Sequence, residues 1–482
     1  MFLWLLTFYQ TGPNGLFIFY QVFNLILQSA EIKQLIVVGN GFDLQCGLKS
    51  QYEDFFNDIF KIEKIKKEYS LLQMKQKLIE DIQDNPTAQN LNEAFYKCLN
   101  GEEKYEKDGK LSTWDIIFLA LFICSKEEKP TLLWRDVETA IYFITTWWLI
   151  EKPKSNAKWK DDLINGRVDN LYEYEEDFEK YLTEWNRIKE GFDYKNEKIF
   201  ETIIETVLKE KNEVDILEDL NTFENEFATY INKQTGTEKE NQIKEKNYWL
   251  NATHLFDKLS AVDSKKRADE KVNIDILNFN YSLDERAISY IKDNVNDPRL
   301  FDINSWTNIH GIATYKDQTA IKKINNLHGV TKQQNFFKLP APIFGIDNHD
   351  IIQKNEDMDD PRIIFTKPFR LMDNHVNIIR SKKFQDDINV ITFYGHSLAS
   401  ADYSYFESIF DQYDIFHSNV KLEFYYYRGN SEEEARRNER DVMKKVVKLL
   451  TSYGLTLKNE HGENIINKMM LEQRLAIVRS PE

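Results

Sequence analysis

The residues of this chain best suited to chemistry stand at the ends of short apolar runs. Asn280 closes "ILNFN" (276–280), and His310 closes the run leading into "NIHG" (308–311). An amide offers two donors and an oxygen acceptor, so Asn280 suits the orientation of a ribose hydroxyl or a water; the plain alternative is a helix cap. An imidazole takes and returns protons near neutrality, so His310 suits a general base; the alternative is a packed structural histidine. A second box, "NLHG" (326–329), offers His328 for the same role. Chain order favours His310, and spacing to "PAPIFGID" (340–347) favours His328.

Two glycine-containing turns join this set. In "LIVVGNGFDLQCGLKS" (35–50) an apolar run enters Gly39-Asn40-Gly41 and is followed by Phe42 and Asp43. Glycines there permit a tight turn or the close approach of a ligand to backbone amides. A carboxylate would repel a diphosphate, so Asp43 fits either a cap on the following turn or an acceptor for ribose or base. The loop "GHSLASAD" (395–402) supplies Gly395 and Ser397, with Asp402 placed to cap the next helix. Its G-x-S lacks the second glycine of a nucleophile elbow, which argues against a serine hydrolase. The expected set is therefore Asn280, His310 and His328 for catalysis, and Gly39, Asn40, Gly41, Phe42, Asp43, Gly395 and Ser397 for ligand binding.

Positioning these residues at one edge requires a sheet. Five runs read as strands: 35–39, 274–279, 305–310, 389–395 and 421–427. They are continuously apolar, as befits strands covered on both faces of a parallel sheet. Helical patterns follow several of them, "SQYEDFFNDIF" (50–60), "SLDERAISYIKDN" (282–294) and "SLASADYSYFESIFDQY" (397–413). Ser50 and Glu53 have capping-box spacing. The fold expected is α/β, a doubly wound, mostly parallel Rossmann-like sheet. Between 65 and 270 apolar positions recur at helical spacing, as in "LLWRDVETAIYFITTWWLI" (132–150) and "LEDLNTFENEFATYINKQ" (217–234), which predicts a large helical insertion. Within it, 235–247 reads as an exposed connection and the acidic run 172–181 as a solvated helix face. The organisation expected is an apolar N-terminal extension over 1–31, a Rossmann-like domain over 32–64 and 271–430, the insertion over 65–270, and a helical segment over 431–482.

Composition sets the outer limits. A net charge of −16 opposes sequence-independent binding to nucleic acid, and no cluster of acids has the spacing of a two-metal nuclease site. Three scattered cysteines form neither a zinc pattern nor a disulfide framework, which points to a reducing cytoplasm, with no metal expected. The apolar runs within residues 2–27 are too short to span a bilayer. They read as a non-native or upstream-translated extension, a membrane or partner contact, or ordinary core.

These blocks, in this order, resemble the AbiH family of bacterial phage abortive-infection proteins. The resemblance rests on "LIVVGNGFDLQCGLKSQYEDFF", "WRDVETAI" (134–141), "ILNFNYS", an "IHG" box, "PIFGID" and "GHSLASADYSYFESIF", and runs from about residue 33 to 427. Ser282 stands where the family pattern has Thr, and the HG box is duplicated. More remotely, a glycine-turn strand, an Asn strand end and an HG strand end are similar to the sirtuin-like fold. That likeness implies NAD as substrate or ligand, with Gly39 and Gly41 lining the dinucleotide, Asn280 placing ribose or water, and His310 acting as base. Phe42-Asp43 departs from the small residues usual after those glycines, and the zinc module of deacetylating sirtuins is missing. The function implied is cleavage of the N-glycosidic bond of NAD or a related nucleotide on infection. The alternative is a nucleotide-binding sensor that cleaves nothing. The partners implied are a nucleotide, a phage or host trigger protein, and further copies of the chain.

Overall fold

The computed structural model describes residues 32–60, 95, 111–124, 137–151, 194–235, 242–260, 272–283, 301–311, 313, 343–347, 351, 360–373, 383–399, 402–457 and 461–481. His328, residues 1–31, the run 172–181 and all but the start of 282–294 lie outside them.

Six strands form one all-parallel sheet: β1 (Ile32–Val38), β2 (Val272–Asn278), β3 (Phe301–Asn308), β4 (Val390–Tyr394), β5 (Lys421–Tyr426) and β6 (Leu475–Arg479). Their order is β3-β2-β1-β4-β5-β6. The chain thus winds outward from β1 in one direction and from β4 in the other, which is the Rossmann arrangement expected. The reversal falls between β1 and β4, paired from Gln34↔Val390 to Val38↔Tyr394. In such a sheet the loops leaving adjacent strands diverge at that point, and ligands bind in the resulting crevice.

The β-branched, continuously apolar strands are explained by cover on both faces. Leu35 and Val37 of β1 point to one side with Leu277, Ile391 and Phe393. Ile36 and Val38 point to the other with Ile274 and Ile276. Among the helices, α1 (Asn40–Gln45) leaves β1 directly, and α2 (Tyr52–Phe60) turns away to pack with α3 (Thr113–Cys124), α4 (Val137–Thr145), α5 (Tyr194–Leu208) and α6 (Glu213–Thr235). α3 is buried along its whole length, in keeping with the unbroken apolar run from Ile116 to Cys124. These helices form a core of their own beside the sheet edge.

The next helix, α7 (Gln242–Leu259), covers a sheet face through Tyr248, Ala252, Leu255 and Phe256. α8 (Lys367–Asp373) is short, and α9 (Tyr403–Gln412), α10 (Glu432–Thr456) and α11 (Ile465–Leu471) cover the other face. Three local expectations are corrected. The stretch 235–247 is helical from Gln242 onward, because its polar residues are good helix formers and its apolar face starts only at Tyr248. The strand before His310 runs over Phe301–Asn308 and ends two residues earlier, its first half alternating between buried and half-buried positions. The helical segment 431–482 closes in a sixth strand, β6, only five residues long and mostly half-exposed, so its apolar run is weak.

The turns after β1 and β4 touch backbone to backbone. A Cβ on Gly41 would lie 2.7 Å from Gly395 Cα, and one on Gly39 2.6 Å from His396 Cα. Gly395 itself has φ +66° and would press a Cβ onto Gly41 Cα at 2.7 Å and onto the Phe42 amide. Gly47 has φ +88°, and a Cβ placed on it would meet nothing within 4 Å, so it separates backbone strain from crowding. Gly395→Ala is expected to lower unfolding free energy by about 2–5 kcal/mol, the sum of left-handed strain and overpacking. Gly47→Ala should cost about 1–2 kcal/mol, strain alone. Denaturant midpoints of both variants check this; equal losses would show that the two turns do not interlock.

Candidate active site

The loops at the C-terminal ends of β1 to β4 meet, and each carries a polar residue into a buried position. Asn280 and His310 end neighbouring strands and are 5% and 4% exposed. The strand ends are tied by asparagines: Asn308 Nδ2 donates to Asn280 O and Leu283 O at 3.2 and 2.7 Å, and the Asn280 amide donates to Asn278 Oδ1 at 2.9 Å. The two side chains then enter separate polar groups, with Phe279 packed between them and the β4 loop.

The first group surrounds Asp43. Its carboxylate accepts from Ser282 Oγ at 2.6 Å, Tyr248 OH at 2.8 Å and Asn280 Nδ2 at 3.3 Å. Asn280 Nδ2 also donates to Gly39 O at 2.9 Å. Asp43 thus neither caps a helix with its side chain nor faces solvent. Burial pushes its pKa up to about 7 against the pull of those three hydrogen bonds. Around it, Gly39 N–H donates to Tyr394 O at 3.0 Å, Gly41 N–H to Gly395 O at 2.8 Å and Phe42 N–H to Gly39 O at 2.9 Å. Those amides are used inside the protein. Phe42 is core, its ring 4.6 Å from Phe256. Asn40 and Ser397 are exposed at the rim; Asn40 Oδ1 accepts from Ser50 and Ser397 Oγ from Ala399 N–H.

The second group surrounds Asp402. Placed as a helix cap by the sequence, it makes no side-chain cap bond and turns inward instead. Its Oδ1 accepts from Lys367 Nζ at 2.7 Å and lies 3.4 Å from His310 Nε2; its Oδ2 lies 3.4 Å from His396 Nε2. Lys367, 1% exposed, also reaches Glu138 Oε1 at 2.8 Å. Burial alone would raise the Asp402 pKa, but the Lys367 ammonium, with His396 and His310, outweighs it and holds the carboxyl well below its usual range. Lys367 is the converse: burial lowers it, and Asp402 and Glu138 carry it above its ordinary value. His310 is driven well below the usual imidazole range by burial, then by Lys367, with Asp402 opposing and His396 adding to the fall. It is a neutral imidazole.

The two histidines differ in what remains to them. His396 Nδ1 accepts from Leu398 N–H at 2.9 Å, which assigns its proton to Nε2, facing Asp402. Both of its nitrogens are engaged. His310 Nε2 has no hydrogen-bond partner among the described residues. Its ring lies edge-on to Phe279 at 5.4 Å and to Tyr405 at 5.8 Å, and near Tyr281 at 6.4 Å. Chemically, the arrangement offers one neutral base beside an anion that would stabilise its protonated form.

Asn280, His310 and Asp43, singled out in the sequence, stand at this edge together with His396 and with Lys367, Glu138 and Tyr281, which the sequence alone did not single out. Glu138 sits inside "WRDVETAI" and Tyr281 inside "ILNFNYS", so both motifs held the signal. Lys367 has none.

A Rossmann-ordered parallel sheet with a histidine–carboxylate–lysine cluster at its strand ends defines a Rossmann-like α/β protein. The chain matches the family described as Bacteriophage abortive infection AbiH over residues 35–426, most of its length, and belongs to it. Its role is accordingly in bacteriophage abortive infection. No curated protein and no solved structure matches the chain. Among the described residues no helix is long and apolar enough to cross a membrane.

A raised carboxyl pKa makes folding take up a proton between the unfolded and folded values, so stability falls as pH rises through that window. From 3.8 to about 7, Asp43 is expected to remove about 4 kcal/mol relative to its protonated state. Asp43→Asn should flatten this loss: the stability of wild type minus variant falls between about pH 4 and pH 7 and is level above. Chemical denaturation of both proteins across that range measures it, and a constant difference would contradict the buried-acid assignment.

Proposed function

We propose that the protein acts in abortive infection by cleaving the N-glycosidic bond of NAD or a related nucleotide, with His310 as general base. The observation that carries this reading is the neutral, buried His310, whose Nε2 makes no hydrogen bond among the described residues and lies 3.4 Å from the ionised Asp402. In hydrolysis of NAD the ribose C1′–N bond breaks, a C1′–O bond forms to water, and the water proton passes to His310. Asp402, kept anionic by Lys367, stabilises the imidazolium that results. Nicotinamide departs as a neutral molecule because it is cationic while attached. The reaction therefore asks for a base and no general acid, which fits a site where His396 is engaged on both nitrogens. Asn280 serves here by holding Gly39 and Asp43, and so the floor of the crevice, in place.

Burial of His310 suits a resting state that a phage or host trigger opens, with the helical body receiving the signal or joining further copies of the chain. A cytoplasmic setting fits the nucleotide substrate and the scattered placement of the three cysteines along the chain. A non-cleaving nucleotide sensor is the second reading, favoured by Asn280 directing its amide to protein acceptors instead of outward.

Full-length protein incubated with NAD and lysate of phage-infected cells should release nicotinamide, followed by chromatography. His310→Ala should lower the rate about 10²–10⁴-fold, the usual contribution of a positioned base. Undiminished release from His310→Ala with His328→Ala would sink the mechanism. Bound nucleotide without product, identified by mass spectrometry, would favour the sensor.

A further inference from the structure

We propose that Lys367 is the positioning residue of this site, its ammonium joining Glu138 of the helical body to Asp402 at the sheet edge, so that the seating of α4 sets how Asp402 faces His310. The inference rests on the reading of His310 as the reacting base and adds to it a physical route by which the helical body governs the site.

The first support is the geometry of the ammonium. Lys367 Nζ lies 2.7 Å from Asp402 Oδ1 and 2.8 Å from Glu138 Oε1, with the lysine side chain 1% exposed. Two carboxylates from different parts of the fold share one cation that is itself shielded from water. The ammonium itself is shielded from water, so displacing Glu138 leaves it Asp402 alone and alters the pull on that carboxylate.

The second support is independent and lies one turn along α8. Arg370 makes a bidentate contact with Glu224 of α6, Nη2 to Oε2 at 2.8 Å and Nη1 to Oε1, and its Nη2 also reaches Asn221 Oδ1 at 2.6 Å. Glu224 in turn accepts from the Phe344 amide at 2.6 Å. Both buried cations of this seven-residue helix therefore grip acids of the helical body, and Lys367 grips the sheet edge as well. The backbone follows the same path: Lys367 N–H donates to Ile346 O, and Ile343 N–H to His310 O. Body, α8 and histidine loop form one connected unit.

The groups that face His310 are Asp402, Lys367 and His396, with the Tyr281 phenol beyond them hydrogen-bonded to Tyr52 and close to Glu138. Lys367 is the nearest source of positive charge in that set apart from the histidines themselves. Its removal, or its withdrawal by a moving α4, changes the proton affinity of His310 without any contact to substrate.

The test follows the imidazole nitrogens of His310 and His396 by NMR in histidine-labelled full-length protein, assigned with His310→Gln and His396→Gln. Wild-type His310 should stay neutral down to the acid limit of folding. In Lys367→Met its midpoint should rise by about one to three units, the range for a neighbouring charge. Lys367→Arg should restore the wild-type behaviour. A folded Lys367→Met chain with His310 unchanged overturns the proposal. Should that variant not fold, Glu138→Gln decides, because it keeps the ammonium and the shape. Altered His310 and His396 signals are then expected, and unaltered ones refute the link to the helical body. Neither readout needs a substrate. A protein that never cleaves NAD can still show the link, and one that cleaves NAD with an unmoved His310 refutes the link alone.

Discussion

A single buried ammonium between two carboxylates organises this protein. Lys367 joins Asp402, at the start of α9, to Glu138, on α4, and with the neighbouring Arg370–Glu224 pair it ties the helical body to the sheet edge and the histidine loop. Such a group cannot stand alone: removing one partner of a buried pair costs about 3–5 kcal/mol because the remaining charge is left without water. The same desolvation determines the proton states. Asp402 stays ionised because the cation is there, and His310 stays neutral because burial and that cation both disfavour a second positive charge. The anion beside a neutral imidazole is thus a consequence of packing.

The sheet brings these pieces together through its topology. With β1 and β4 adjacent and the winding reversed between them, the turns after both strands occupy one place, and their glycines let the two backbones touch. The glycine turn does not present a row of free amides at this point. Gly39, Gly41 and Phe42 donate within the protein, and Asp43 behind them is enclosed by Ser282, Tyr248 and Asn280. The carboxylate that follows these glycines has hydroxyls and an amide of the fold as its partners.

Much of the architecture was legible in the chain. Continuous β-branched runs at 35–39, 274–279 and 389–395 mark strands covered on both faces, and the residues at their C-terminal ends mark the edge where Asn280 and His310 stand. What stayed hidden depends on contacts between distant residues. Gly41 reads as a tight turn, yet its closest neighbour, Gly395, is hundreds of residues away in sequence. Asp402 reads as a helix cap by its position before Tyr403, and only the packing of α8 draws it inward. Lys367 lies in no motif, and its chemistry arises wholly from what surrounds it. β6 escaped notice because five residues, none of them buried, at the end of a helical region carry little periodic signal.

Membership of the AbiH family sets the biological frame of phage abortive infection. We propose that the crevice between β1 and β4 receives a nucleotide whose ribose meets His310 and Asp402. The most direct test is an experimental structure of the full-length chain with NAD bound. The nicotinamide ribose is expected against His310, within reach of Asp402, and the diphosphate outside the Gly39–Gly41 turn. A nucleotide lodged elsewhere on the molecule, with the Lys367–Asp402–His310 cluster closed and untouched, would contradict that claim.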